Sequence, residues 1–242
     1  MAQLFVDCRF GLGGDMFLAA LVDLGLDLEP LAQALGQVGI SVALAAPEVR
    51  VHGLAGRRLF IDAPGAQPLR HLPEILHLVQ GLPFSAEVRG RTASAFGRLA
   101  EVEARMHGIG VDEVHFHEVG AVDTLIDVAG AFYGLEALGV TRVTCSTLPW
   151  FGGTVECAHG TLPLPAPATL ELMKGKPVTP TEFELEILTP TGALIIDQVV
   201  DEFVRGPAGL VRGVGRSFGS VDLGAGCGGL RLVLLDETHE PS

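Results

Sequence analysis

Extended apolar segments alternate with helical segments along this chain, and that alternation limits its possible folds more than any other feature. QLFVD is predicted as a strand, GLGG as a turn, and DMFLAALVDLG as a helix ending at Gly25. A short helix from about Glu29 to Val38 follows, and the chain closes on a predicted strand, LRLVLL. Alternating strands and helices pack in layers around a core. The predicted fold class is α/β, with α+β as the alternative: a layered fold with a mixed sheet and packed helices, whose strand order stays open.

The length of 242 residues suits one large domain, predicted to span 1–242, with a small hairpin subdomain at 41–64. In that subdomain, SVALAAPEVR and RRLFIDAP are predicted strands around a glycine-bearing turn. Helices are predicted over about 71–79 and 85–106, followed by strands over RVTCSTLP and GGTVECAH. PAPATLELMKG and TPTGALIIDQVVDEF are predicted helices, the second with Thr191 as its N-cap. The glycine-rich stretch before LRLVLL is predicted to form loops.

Charge and hydropathy argue against two classes of partner. The formal net charge of -13 argues against nucleic acid, because binding to phosphates requires a basic face. No apolar run approaches the roughly 18 residues of a membrane-spanning helix, and MAQLFVDC lacks the features of a signal peptide. The four cysteines form no CxxC pair, so we expect reduced thiols rather than a zinc knuckle or a disulfide framework. The predicted location is the cytoplasm, with no nucleic-acid or membrane partner.

The stretch VHFHEVGAVDTLIDV concentrates titratable groups in a segment that otherwise resembles a core. In an extended segment, His115 and His117 project to the same side, because side chains alternate along a strand. A helix predicted to begin near Gly120 places Asp123 and Asp127 one turn apart on one face, where like charges repel unless a cation lies between them. The alternative is that Asp123 lies in the first helical turn for its effect on the helix dipole and that the histidines are structural.

Three further motifs carry polar groups at the ends of predicted elements. In VDCRFGLGGDM, Asp7 and Arg9 end a strand and Asp15 begins a helix, with a glycine turn between them that can bind an anion. In ECAHGTLPLPAPATL, Cys157 and His159 stand before a proline-stiffened segment, which suits a ligand or an acid/base imidazole. LTPTGA offers two threonine hydroxyls at a helix N-terminus. Each motif also has a purely structural interpretation, as an N-cap, a buried thiol or a hydrogen-bonded imidazole.

Taken in order, DCRFGLGGDM, VHFHEVGAVDTLIDV, CAHGTLPLPAPATLELMKG, LTPTGA and LRLVLL resemble the LarC family, the nickel insertion proteins that mature the nickel-pincer cofactor of lactate racemase. The resemblance runs over nearly the whole chain. It implies a nickel chelatase, a CTP-dependent cyclometallase of the lyase class. Such an enzyme places Ni²⁺ into pyridinium-3,5-bisthiocarboxylic acid mononucleotide through two nickel–sulfur bonds and one nickel–carbon bond.

The resemblance also implies roles for individual residues. The implied metal ligands are His115, His117, Glu118 and Asp123, which would release nickel to the softer sulfurs of the substrate. The candidates to accept the displaced ring proton are Asp7, Asp15 and His159. The substrate phosphate is assigned to Arg9, the glycine turn and TPTGA, that is to Arg9, Gly11, Gly13, Gly14, Thr189, Thr191 and Gly192.

Members of that family usually continue into a C-terminal domain that binds the nucleoside triphosphate, whereas this chain stops soon after LRLVLLDE. We therefore expect either that CTP, with Mn²⁺ or Mg²⁺, is used through a separate LarC-like C-terminal partner chain or that the chain is a shortened homologue with altered activity. The oligomeric state stays open, a homo-oligomer included. Two other functions stay open as well. One is a hydrolase in which zinc or manganese activates a water between His115, His117, Asp123 and His159. The other is a non-catalytic nickel metallochaperone.

Overall fold

The computed structural model describes residues 2–63, 70–116, 122–157 and 159–236, and secondary structure alternates through those ranges. The helices are α1 (Gly14–Asp23), α2 (Glu29–Gln37), α3 (Leu72–Gly81), α4 (Ala86–His107), α5 (Val122–Ala137), α6 (Pro167–Met173) and α7 (Pro190–Val199), with a 3-10 helix at Val111–Glu113. The first strands are β1 (Ala2–Asp7), β2 (Ala43–Ala45), β3 (Glu48–Val51), β4 (Leu54–Arg57), β5 (Phe60–Asp62), β6 (Arg70–His71) and β7 (His115–Phe116). The remaining strands are β8 (Val140–Cys145), β9 (Leu148–Trp150), β10 (Thr154–Cys157), β11 (Gly160–Pro163), β12 (Val178–Pro180), β13 (Glu202–Phe203), β14 (Leu210–Ser217) and β15 (Leu230–Asp236).

A mixed sheet forms the centre of the molecule, in the order β13-β8-β1-β15-β14-β4-β3. Strand β1 pairs in parallel with β8 on one side and antiparallel with β15 on the other. The parallel pair β1–β8 places α1 to α5 in the long connection between its strands, which is how α/β folds are built. The predicted layered α/β fold with a mixed sheet is therefore confirmed.

Strand β14 corrects the prediction that the stretch before LRLVLL forms only loops. Leu210–Ser217 pairs antiparallel with β15 along most of its length. Its glycines are explained by helix α1, which lies so close to the sheet that a side chain at Gly215 would collide with the carbonyl oxygen of Ala20. A side chain at Gly213 would also press on Leu24, at 3.2 Å. Packing between the helix and the sheet, rather than turn formation, selects these glycines.

Paired strands form between residues 43 and 62, within the segment predicted as a hairpin, and the separate subdomain stays a prediction. Strands β3 and β4 pair antiparallel around a turn at His52 and Gly53, and β2 pairs with β5 outside them. At the end of β4, Arg57 pairs with Ser217 of β14, so the hairpin extends the main sheet. Nε of Arg57 also donates to Oδ1 of Asp23, the last residue of α1, at 3.2 Å, which holds the hairpin against this helix.

The other helices fall close to their predicted bounds, with two corrections at α7. The predicted helix TPTGALIIDQVVDEF is too long, because α7 ends at Val199 and Glu202–Phe203 pairs in parallel with β8 as strand β13. The N-cap of α7 is Thr189, whose hydroxyl accepts a hydrogen bond from the backbone N–H of Gly192 at 3.1 Å. The prediction that Thr191 caps this helix is wrong, because Pro190 already occupies the first helical position, where proline is favoured. Among helices of the described ranges, none combines the length and the apolar character that a membrane span requires.

Candidate functional site

A cleft of about 610 Å³ lies where the N-terminal ends of α1, α5 and α7 meet, and we call it the acidic cleft. Its other sides are lined by the hairpin β10–β11 and by Leu59 and Ile61. Its described lining residues contain no Lys, Arg or His, but they do contain five acids and one cysteine: Asp15, Asp123, Asp127, Glu156, Glu186 and Cys157. Such a lining generates a field that concentrates cations.

The glycine turn and the loop before α7 are joined directly beneath this cleft. The backbone N–H of Leu12 donates to the carbonyl of Ile187 at 2.8 Å, and the N–H of Thr189 donates to the carbonyl of Leu12 at 3.2 Å. Gly11 and Gly192 lie beside this junction, where Gly11 closes a turn back to Cys8 through an N–H bond of 2.8 Å. The two segments predicted to bind the substrate phosphate are thus neighbours, although more than 170 positions separate them in the sequence.

Asp127 is the most unusual group in the acidic cleft. Its side chain belongs to a residue only 7% exposed, and its Oδ1 atom has no hydrogen-bond partner among the described residues. Burial raises the pKa of Asp127 well above the ordinary 3.8, and the charges of Asp15 and Asp123 raise it further. A buried carboxyl with an unsatisfied oxygen costs stability, and a bound ligand or a retained proton would reduce that cost.

The close approach of α1 holds Asp127 in place. A side chain at Gly14 would collide with the carboxylate of Asp127 and would lie 2.7 Å from its Cβ and 2.6 Å from Cγ2 of Thr191. Only glycine therefore lets α1, α5 and α7 meet at this point. Gly14, predicted as a phosphate contact, has this packing role in the structure.

Asp15 stands at the first turn of α1, one residue beyond Gly14. Burial raises the pKa of Asp15, an effect opposed in part by backbone N–H groups at positions 15 and 16 and by the charge of Arg58. A carboxyl whose pKa is raised toward neutrality is better suited to exchange protons than a freely exposed one. Asp15 also lines a second cleft.

The second cleft, of about 290 Å³, lies between the β3–β4 hairpin and the loop 219–229, and we call it the hairpin cleft. It shares Asp15, Glu186 and Thr189 with the acidic cleft, so these residues form a common wall. Its other side chains include cations and aromatic rings: Arg50, His52, Arg58, Phe10 and Phe218. Gly13 and Thr189, both predicted as phosphate contacts, also line this cleft. No sequence motif indicated the contribution of the β3–β4 hairpin and the loop 219–229, because these segments become neighbours only in the folded chain.

Asp7 and Arg9 lie outside both clefts and form an ion pair with each other. Nε and Nη2 of Arg9 donate to the two carboxylate oxygens of Asp7 at 2.7 and 2.8 Å, and Nε of Arg231 adds a bond of 3.1 Å. Burial alone would raise the pKa of Asp7, but the two guanidinium groups lower it to about 2. A carboxylate held this way is a weak base. The roles predicted for Asp7 and Arg9 stay predictions.

His115 and His159 line neither cleft, and each lies against another histidine. The rings of His71 and His115 are 3.8 Å apart between centroids on the pair β6–β7, and those of His107 and His159 are 5.0 Å apart. The predicted ligands His117 and Glu118 lie outside the described residues. Within the described ranges, no three His, Cys, Asp or Glu side chains are grouped closely enough to hold a metal ion. The predicted four-ligand set stays a prediction.

The sequence did not single out Glu156 and Glu186 as site residues. Glu156 is the first residue of the motif ECAHGTLPLPAPATL and Glu186 stands two residues before LTPTGA, but only the meeting of the β10–β11 hairpin with the loop before α7 brings the two acids to one cleft. Cys157 is partly buried there, and its thiol donates to the carbonyl of Gly160 at 3.3 Å. An alternation signal in TVEC was available, but it indicates a strand rather than a site.

Comparison with known proteins gives a consistent result. The family model described as nickel insertion protein matches residues 4–242. A "Putative nickel insertion protein" of Geotalea daltonii is 43% identical over 243 residues, covering 99% of this chain and 62% of that protein. Proteins of the same name from Geotalea uraniireducens and Thermomicrobium roseum are 39% and 43% identical, with 98% and 92% of this chain covered and 62% and 55% of theirs. The chain thus spans less than two thirds of these relatives. No solved structure matches it.

Proposed function

Because the chain belongs to the nickel insertion protein family, we propose that it inserts Ni²⁺ into pyridinium-3,5-bisthiocarboxylic acid mononucleotide, which forms the nickel-pincer cofactor of lactate racemase. The nickel is a substrate of this reaction, received and then released. We further propose that the reaction belongs to the lyase class and takes place in the cytoplasm.

The observation that carries the proposal is the acidic cleft with Oδ1 of Asp127, which has no hydrogen-bond partner among the described residues. A divalent cation bound at Asp127 would satisfy this oxygen and would offset the charges of Asp15 and Asp123 that act on the Asp127 carboxyl. Carboxylate oxygens hold nickel less strongly than sulfur ligands do. Such a site suits a metal that must be passed on, because the thiocarboxylate sulfurs of the substrate are the softer ligands.

The proposed chemistry is a substitution at a ring carbon without a change in oxidation state. Ni²⁺ leaves the carboxylates and bonds to the two thiocarboxylate sulfurs. The ring C–H bond then breaks as the nickel–carbon bond forms, and the proton passes to a carboxylate and from there to water. We assign the acceptance of this proton to Asp15, because it lines both clefts and its pKa is raised.

The role of CTP is proposed to lie with a second region. This chain covers 62% of the length of its relatives from Geotalea, and we propose that CTP with Mg²⁺ or Mn²⁺ is bound by a LarC-like C-terminal region outside residues 1–242. The residues described above receive no part in CTP binding. Their proposed work is to take up nickel, hold it beside the mononucleotide and accept the proton.

Product formation tests the proposal. The purified chain is incubated with Ni²⁺, CTP, Mg²⁺ and the bisthiocarboxylate mononucleotide, with and without a C-terminal partner chain, and nickel-bound product is detected by its mass. We expect product in at least the complete mixture, and a loss of most of it with Asp127→Asn but not with Asp112→Asn, an exposed acid on the 3-10 helix. Absence of product in both mixtures contradicts the proposal, and stoichiometric transfer without turnover indicates a metallochaperone.

The predicted histidine ligands are tested by the nickel content of the protein, measured after incubation with Ni²⁺ and removal of the free metal. A His115→Ala, His117→Ala double variant is expected to bind less nickel than the wild type. Unchanged nickel content in that variant leaves the carboxylates of the acidic cleft as the proposed nickel ligands and removes the imidazoles.

A further inference from the structure

The hairpin cleft carries separated charges around an apolar surface. The guanidinium groups of Arg50 and Arg58 approach it from the β3–β4 hairpin, while the carboxyl groups of Asp15 and Glu186 stand on the wall shared with the acidic cleft. Phe218, which is buried, provides apolar surface in the same lining. A ligand that complements this lining carries a negative group at one end and a flat, positively charged group at the other.

Arg58 supplies a donor that the folded chain leaves unused. Its Nε atom is buried and has no hydrogen-bond partner among the described residues. Arg50 on strand β3 is largely exposed and forms a loose ion pair with Glu48 at 3.6 Å. Two neighbouring guanidinium groups favour a phosphate, because the planar fork of N–H groups matches phosphate oxygens.

The cleft is also held in shape. Nε2 of His52, in the hairpin turn, lies 2.8 Å from Oδ1 of Asp222, which in turn accepts a bond from the N–H of Gly224 at 2.8 Å. These contacts join the hairpin to the loop across the cleft, so Asp222 is engaged rather than facing the guanidinium groups unpaired. The volume of about 290 Å³ is near the lower end of the roughly 300–1,000 Å³ typical of small-molecule sites.

From this arrangement we propose that the hairpin cleft is the binding site for the mononucleotide, with its phosphate on Arg58 and Arg50 and its positively charged ring against Phe218 and the wall that carries Asp15. This inference rests on the proposed function and adds the location and orientation of its substrate. The orientation directs the ring toward the acidic cleft, so that nickel and the ring carbon approach each other across Asp15. Arg58 and Arg50 thus take the phosphate-binding role that the sequence predicted for Arg9, whose guanidinium is engaged by Asp7.

Binding of a stable analogue tests the assignment. Nicotinate mononucleotide, which joins a pyridinium carboxylate to a ribose phosphate, is titrated calorimetrically into the metal-free protein, with N-methylnicotinate and ribose 5-phosphate as half-ligands. We expect the mononucleotide to bind more tightly than either half. Arg58→Gln should weaken it roughly 10- to 100-fold, the range expected for a lost bond to a charged group. Arg212→Gln, an exposed arginine on β14 that pairs with Asp236, should leave it unchanged.

A second variant keeps the test decisive if Arg58→Gln does not fold, as checked by circular dichroism. Phe10→Leu alters a half-buried ring of the same lining and should weaken N-methylnicotinate together with the mononucleotide. Absence of mononucleotide binding by the wild type, or equal binding by wild type, Arg58→Gln and Phe10→Leu, overturns the inference. Nickel titration of the wild type is independent of this result, so failure here with nickel uptake intact leaves the proposed function standing.

Discussion

Replacing Asp127 with asparagine is expected to stabilise the folded protein at neutral pH while it abolishes the response to nickel. Below pH 3.8 the carboxyl is protonated in the folded and the unfolded chain alike, so its titration has no effect on stability. Above that pH the unfolded chain releases the proton, whereas the folded chain retains it because burial and two neighbouring acids raise its pKa. Stability of the wild type therefore falls as pH rises, until the pH reaches the raised pKa.

The magnitude follows from one proton held by one state. The folding equilibrium constant of the wild type falls by up to about tenfold for each pH unit inside that window. For a chain of this length, a tenfold change corresponds to roughly 3–5 °C in Tm. The side-chain amide of the asparagine variant does not titrate, so the difference in Tm between Asp127→Asn and the wild type should widen as pH rises and then level off.

The assay is thermal unfolding followed by circular dichroism in a chelator at several pH values between 5 and 8. Asp112→Asn is the matched control, since Asp112 is exposed and its loss should leave the pH dependence unchanged. Added nickel at about 100 times its Kd should raise the Tm of the wild type by roughly 5–10 °C, but not that of Asp127→Asn. Parallel curves for Asp127→Asn and the wild type, with and without nickel, would refute the reasoning.

Three further predictions concern neighbouring features. Gly14→Ala should lower the free energy of unfolding by about 1–3 kcal/mol through overpacking. The control Gly90→Ala, on an open face of α4, should raise the free energy of unfolding by up to about 1 kcal/mol. Equal effects of the two substitutions in urea denaturation would contradict the close approach of α1. Thr189→Ala should cost about 1 kcal/mol and Thr191→Ala less than about 0.5 kcal/mol, since only the first caps α7; the reverse order restores the rejected N-cap. Asp7→Asn should destabilise the protein at pH 7. The difference in stability between the variant and the wild type should vanish as pH falls from 3.8 toward about 2, because the lowered pKa of Asp7 contributes stability only above that range. A difference of the same size at pH 2 argues against the ion pairs.

The elements that depend on local sequence pattern were predictable. Hydrophobic periodicity and glycine positions in the sequence predict β1, the turn after it, α1 and the long helix α4. Strand β14 was not predictable in that way, because Gly213 and Gly215 resemble loop glycines until α1 is placed over them. The pairing of β15 with β1 joins positions more than 200 residues apart, which a local pattern cannot indicate.

The candidate site likewise contains some residues that local pattern indicates and others that only the tertiary structure brings together. Asp15 stands at one predicted helix start, Asp123 and Asp127 were predicted one turn apart on one face of another helix, and all three line the acidic cleft. Glu156 and Glu186 join them only because a hairpin and a loop from distant positions converge. The hairpin cleft depends still more on tertiary structure, since the β3–β4 hairpin and the loop 219–229 have no shared signal in the sequence.

The most direct test of the central claim is an anomalous-scattering map from crystals of the protein soaked in nickel. We predict a nickel peak inside the acidic cleft, within about 2.0–2.2 Å of a carboxylate oxygen of Asp127, the distance typical of transition-metal carboxylate bonds. A peak bound elsewhere, with the Asp127 carboxyl free of metal, would contradict it.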